Sequence, residues 1–140
     1  MTIIESVREF ISTCPHLNEF AEGIGVDFLG AEATSYSIEE VPSNPIVKKY
    51  IDGSSVRQFL FIFSSREAYS EDAFINLNNI GFYEKFYNWI EEQSLNKNLP
   101  QITCGESLKI EALTNGYAFD TDIDKARYQI QCKLTYFKEN

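Results

Sequence analysis

The sequence predicts an α+β domain: a mostly antiparallel sheet of four to five strands, packed by an N-terminal helix and a middle helix. Three observations predict it. Segments with helical spacing stand before and between runs of alternating residues. Asp52-Gly53 joins two such runs as a hairpin. The last third alternates apolar and polar residues over a length that suits a long strand. At 140 residues and 44% hydrophobic content the chain is long enough for one core. No repeat, low-complexity tract or linker divides it, so residues 1–140 are expected to form a single domain.

Thr2 and Glu5 form a T-x-x-E capping box, and Ile3, Ile4, Val7, Phe10 and Ile11 follow at helical spacing, so residues 2–13 read as an amphipathic helix. Pro15 disfavours helix at Cys14, and Leu17 and Phe20 suit a further short turn. Val26 to Leu29, set among Gly23, Gly25 and Gly30, reads as an edge strand. Tyr36 to Val41 alternates, with Tyr36, Ile38 and Glu40 on one side, and stops before Pro42 and Pro45. Residues 46–51 and 56–63 are the arms of the hairpin at Asp52-Gly53. Phe59, Phe61 and Phe63 share one face of the second arm and Leu60 and Ile62 the other, which predicts a central strand covered on part of both sides.

Ser70, Glu71 and Asp72 mark a helix start, with two turns over 71–79 before Gly81. Helical spacing resumes in Phe82, Phe86, Trp89, Ile90 and Gln93, with Glu84, Lys85, Asn88, Glu91 and Glu92 opposite. Residues 95–105, with Pro100, read as a loop. Leu108, Ile110 and Ala112 then alternate with Lys109 and Glu111, as Ala126 to Tyr136 alternate with Arg127 to Lys133, giving a second, longer hairpin. Asn115-Gly116 shifts the apolar phase to Tyr117 and Phe119, as a bulge does, and Asp120, Asp122 and Asp124 sit at the tip.

Charge and cysteine usage narrow the function. Twelve Lys and Arg against 21 Asp and Glu give a net charge of −9, which argues against a protein that grips phosphates with clustered cations or binds anionic membranes. The N-terminus lacks the basic-then-apolar build of a signal peptide, and no apolar run reaches about 18 residues, so a soluble, cytoplasmically made protein is expected. Cys14, Cys104 and Cys132 are odd in number and widely spaced, which suits buried or free thiols better than disulfides.

No arrangement of residues here assigns catalysis, a cofactor or a metal. Cys14 and His16 are a Cys/His nucleophile pair only by closeness in sequence, whereas such pairs usually come from distant segments. Asp120-x-Asp122-x-Asp124 imitates the opening of a calcium loop, but Lys125 stands at its glycine position and Gln131 at its closing glutamate, so an exposed acidic tip is the better reading. Gly23-x-Gly25 lacks the third glycine of a dinucleotide fingerprint. Glu39 and Glu40 are adjacent, hence on opposite faces of a strand. Tyr50, Tyr69, Tyr83, Tyr87, Tyr117 and Phe137 exceed what one small core requires, and either subunit interfaces or packing account for them.

Three stretches carry a resemblance: Tyr36-Ser-Ile-Glu-Glu-Val-Pro-Ser-Asn-Pro-Ile-Val-Lys-Lys-Tyr-Ile-Asp-Gly, Gly81-Phe-Tyr-Glu-Lys-Phe-Tyr-Asn-Trp-Ile-Glu-Glu-Gln, and Tyr128-Gln-Ile-Gln-Cys-Lys-Leu-Thr-Tyr-Phe. Together the chain resembles short proteins from the structural-gene clusters of tailed phages of Gram-positive bacteria, known as minor capsid proteins and sometimes misnamed chloramphenicol resistance proteins. Its length, element order and acidity are also similar to those of tail terminator proteins.

The resemblance implies a tail-terminator-like domain in the virion. Subunits close into a six-fold ring that caps the tail tube and stops its polymerisation, and the ring offers a docking surface to the head or neck. The implied partners are further copies of the chain, the tail tube protein, a neck or head-completion protein, and the sheath in a contractile tail. DNA passes through the lumen without specific binding, and no membrane or cofactor is involved. An acidic lumen repels phosphates, and Glu39, Glu40, Asp120, Asp122 and Asp124 are its candidates. Tyr50, Asp52, Arg57, Arg66 and Tyr69 are candidates for subunit or tube contacts. The alternatives are a head-completion or neck protein and, from another class, a small acyltransferase or hydrolase using Cys14 and His16.

Overall fold

The computed structural model describes residues 2–17, 24–26, 29, 35–68, 73–121 and 125–140. In chain order the elements are α1 (Ile3–Ser12), β1 (Ile24–Val26), β2 (Ser35–Val41), β3 (Ile46–Lys49), β4 (Ser55–Ala68), α2 (Ala73–Leu95), β5 (Glu106–Ala112), β6 (Tyr117–Thr121) and β7 (Lys125–Lys138). The α+β class and the two helices are as the sequence predicts.

A single antiparallel ladder organises the sheet. β4 and β7 pair without interruption from Ser55 opposite Lys138 to Ala68 opposite Lys125, a ribbon about 46 Å long at the rise of a strand. Shorter strands flank it. β2 and then β3 run along the outer edge of β4, and β5 and then β6 along the outer edge of β7. β1 completes the order β1-β2-β4-β7-β5 and is parallel to β2. Among the described residues the sheet thus contains seven strands but is five wide. Pro42 and Pro45 cannot donate ladder hydrogen bonds and separate β2 from β3; residues 113–116 separate β5 from β6. In that gap the Leu113 N–H donates to the Gln131 carbonyl at 2.7 Å and the Gln131 N–H to Thr114 Oγ1 at 3.1 Å, so β7 stays bonded throughout. Phe119 is the extra residue of a bulge within β6, three residues after Gly116, where the apolar phase shift points.

One face of the ribbon carries the core. Phe59, Phe61 and Phe63 of β4 and Ala126, Tyr128, Ile130, Cys132, Leu134 and Tyr136 of β7 are buried there, with Tyr36 and Ile38 of β2 and Ile110 of β5. α2 lays Tyr83, Phe86, Trp89 and Ile90 on this face; the Phe63 and Phe86 rings stack 4.6 Å apart. α1 adds Val7 and Ile11, and Phe10 meets Trp89 at 5.0 Å, which ties the two helices together. Thr2 caps α1 as its capping box predicts, its Oγ1 accepting from the Glu5 N–H at 3.2 Å.

Two expectations are corrected. The middle region is one helix of 23 residues that continues through Gly81, not two. A helical glycine costs only about 1 kcal/mol, and burying Tyr83, Phe86 and Ile90 outweighs that cost. β1 begins at Ile24, two residues before the expected edge strand, because Ile24 is the residue that reaches the core, at 5% exposure. The expected helix start at Ser70 to Asp72 lies outside the described residues.

Two glycines give predictions of opposite sign. A Cβ at Gly81 meets nothing within 4 Å, so Gly81→Ala should stabilise the fold by ~0.5–1 kcal/mol in urea titration. A Cβ at Gly116 would lie 2.2 Å from the Tyr83 Cβ, so Gly116→Ala should destabilise it by ~1–3 kcal/mol. Equal effects at the two sites would contradict this packing.

Candidate assembly surfaces

The β3–β4 hairpin forms one end of the sheet, and its turn explains its own residues. Gly53 adopts φ +91°, a conformation that favours glycine, and its N–H donates to the Tyr50 carbonyl at 3.1 Å. Asp52 accepts from the Ser54 N–H at 2.9 Å and from the Ser54 hydroxyl, and these bonds hold its carboxyl below the usual range. Asp52 is therefore a turn-forming residue. Tyr50 packs its ring 6.4 Å from Phe137, with the Lys48 ammonium 5.1 Å from the Tyr50 ring centre. Arg57 donates to Ser55 Oγ at 3.0 Å.

This hairpin exposes apolar side chains. Ile51 is fully exposed and Val47 is 57% exposed, while all four residues of β3 face solvent. A second apolar surface lies in a groove of about 480 Å³ between α2 and β5, where Leu95 and Leu108 are exposed beside Glu91 and Glu111.

The face of the ribbon opposite the helices is polar and laced with ion pairs. Arg127 of β7 reaches over the small Ser64 of β4 and donates to Glu39 of β2 at 2.7 Å. Its guanidinium carbon also lies 5.6 Å from the Phe119 ring centre. Gln129 donates to the Tyr117 hydroxyl at 2.7 Å. Glu111 sits between Lys133 at 3.1 Å and Lys109 at 3.2 Å. Burial pushes its carboxyl up, and the two lysines outweigh burial and hold it below the usual range.

Among the described lumen candidates, Glu39 and Glu40 do not share a surface. Glu39 is paired with Arg127, and Glu40 lies on the opposite face of β2, beside a groove lined by Thr2, Gln58 and Tyr136. The backbone of Asp120 stands opposite Arg127 in β6, and Asp122 and Asp124 lie outside the described residues. The contact candidates divide likewise. Tyr50, Asp52 and Arg57 all belong to the hairpin, whereas Arg66 stands nine residues beyond Arg57 along β4, about 30 Å away. Tyr69 lies outside the described residues.

Tyr83 shares a 2.6 Å hydrogen bond with Ser65 and donates to the Tyr128 carbonyl at 3.1 Å; burial raises its hydroxyl well above the usual value. Cys14 is buried while His16 is exposed. Burial pushes the Cys14 thiol up, and backbone bonds from His16 and Leu17 only partly offset this, so the thiol stays protonated at neutral pH. No group of three or more metal-binding side chains is present among the described residues. No helix there is long and apolar enough to cross a membrane.

Two measurements check these assignments. In the native chain a thiol reagent should label the exposed Cys104 quickly, and Cys14 and Cys132 only after denaturation; fast labelling of Cys14 would contradict its burial. Burial also lifts the Glu67 carboxyl, partly offset by Ser65. The folded chain then holds this proton more tightly than the unfolded chain, so Glu67 subtracts stability as pH rises from the usual carboxylate range through the raised value, and subtracts none below that range. Glu67→Gln should raise the urea midpoint at pH 7 and leave it unchanged near pH 3, and a loss at pH 7 would reverse the assigned sign.

In comparisons with known proteins no family model matches the chain, and neither a curated protein nor a solved structure does.

Proposed function

We propose that this chain is a structural protein of a tailed-phage virion, a tail terminator whose copies close into a ring on the end of the tail tube. The observation that carries the proposal is the exposed apolar hairpin at one end of the ribbon, with Val47 and Ile51 in solvent. Exposed apolar side chains gathered on one hairpin suit a surface that is covered in an assembly. The first arm and the turn of this hairpin, Ile46 to Gly53, also lie within the first of the three stretches that resemble the phage proteins.

Further features support an architectural role. Phe63 of the sheet stacks on Phe86 of α2 in the core, and burial leaves the Cys14 thiol poorly suited to nucleophilic attack. That removes support from the acyltransferase or hydrolase alternative. A net charge of −9 favours passage of DNA through a ring without adhesion. On this proposal the ring meets the tube protein on one face and a neck or head-completion protein on the other.

Deleting the gene from a phage that encodes it and imaging the lysate tests the role. A terminator's loss should give tails of uncontrolled length. Tails of normal length left unattached to heads would reassign the chain to the neck, and complete virions would overturn a structural role.

A further inference from the structure

We infer that copies of this chain join edge to edge, the β3 strand of one extending the sheet of the next by pairing with its β5; the inference rests on the proposed ring and specifies its joint. Three features of the sheet point to this pairing.

The first is availability. Among the described residues β3 pairs only with β4 and β5 only with β7, so each leaves one strand edge open. Such edges pair readily with another chain. α2 meets the β5 edge at Ile110, whose N–H donates to Ser94 Oγ at 3.3 Å, and the joint lies at the Glu106 end of that strand.

The second is direction and height. β3, β4, β7 and β5 alternate in direction, so β3 and β5 run opposite ways. Rotation about an axis along the strands preserves those directions and brings the β3 of one copy antiparallel to the β5 of its neighbour. The edges are also level: Lys48, Val56, Phe137 and Glu106 form one row straight across the sheet. Level edges join without axial rise, and a ring closes only under that condition.

The third is charge. β3 carries Lys48 and Lys49 and no acid on a chain of net charge −9. In the level register Lys48 of one copy faces Glu106 of the next, an opposite-charge cross-strand pair. The exposed Ile46 and Leu108 stand beside it, at 38% and 39% exposure. Two residues outward, Tyr50 faces the exposed Cys104.

That last position supplies the test. Within one copy β3 and β5 are three strand spacings apart, about 14 Å, too far for a disulfide, which needs Cα atoms within about 7 Å. Tyr50→Cys should therefore cross-link to Cys104 only between copies. Mild oxidation should give a ladder of linked oligomers on a non-reducing gel, lost when Cys104→Ser is added. Independently, Lys48→Glu should weaken association about tenfold by light scattering, and adding Glu106→Lys should restore it. Oligomers that form without the cross-link and ignore the charge swap would overturn this joint and leave the ring standing. Linked chains that never close would keep the joint and overturn the ring. A chain monomeric at millimolar concentration and never linked would overturn both.

Discussion

The β4–β7 ladder is the constraint on which the remaining structure depends. Fourteen consecutive residue pairs fix the register of two strands that are far apart in sequence, and a slip of one residue would turn either Phe61 and Phe63 or Ile130 and Leu134 from the core to the polar face. The short strands align against this ribbon, and both helices pack on its apolar face. Phe86 stacked on Phe63 and Tyr83 bonded to Ser65 fix α2 on that face. The ribbon also sets the relation of the two ends, placing the exposed hairpin at one and the Arg127–Glu39 pair toward the other.

The ribbon's opposite face shows why a sheet can remain half-dressed. Its small serines at 37 and 64 let long side chains lie across the strands, so Arg127 spans two strand spacings to Glu39 while Leu60 and Ile62 stay partly covered. Charge on this face is largely neutralised in pairs. The acidity of the molecule is therefore carried by residues elsewhere, and Glu39 is a poor carrier of field into a lumen.

Strong local signals made much of the fold legible in the sequence. The capping box at Thr2, the alternation of Phe59, Phe61 and Phe63, the Asp52-Gly53 turn and the long alternation after Lys125 each express a single period or cap that burial reinforces. What was not legible depends on contacts between distant segments. Gly81 reads as a helix break because propensity is local, whereas the core burial that carries the helix through it is not. The division of one outer edge into β5 and β6 is invisible until β7 is seen to serve both. The candidate surface is legible only in part. Tyr50, Asp52 and Arg57 were readable from exposure at a turn, but the importance of Lys48 and Glu106 arises from a row that crosses four strands. No spacing along the chain encodes that row.

The hairpin, the level edges and the polar back face are the features on which the proposed subunit, acting through shape and contact, rests. Negative-stain imaging of the purified chain tests this most directly. The account predicts uniform rings with a central hole; a preparation that stays at the size of one subunit at every concentration would contradict it.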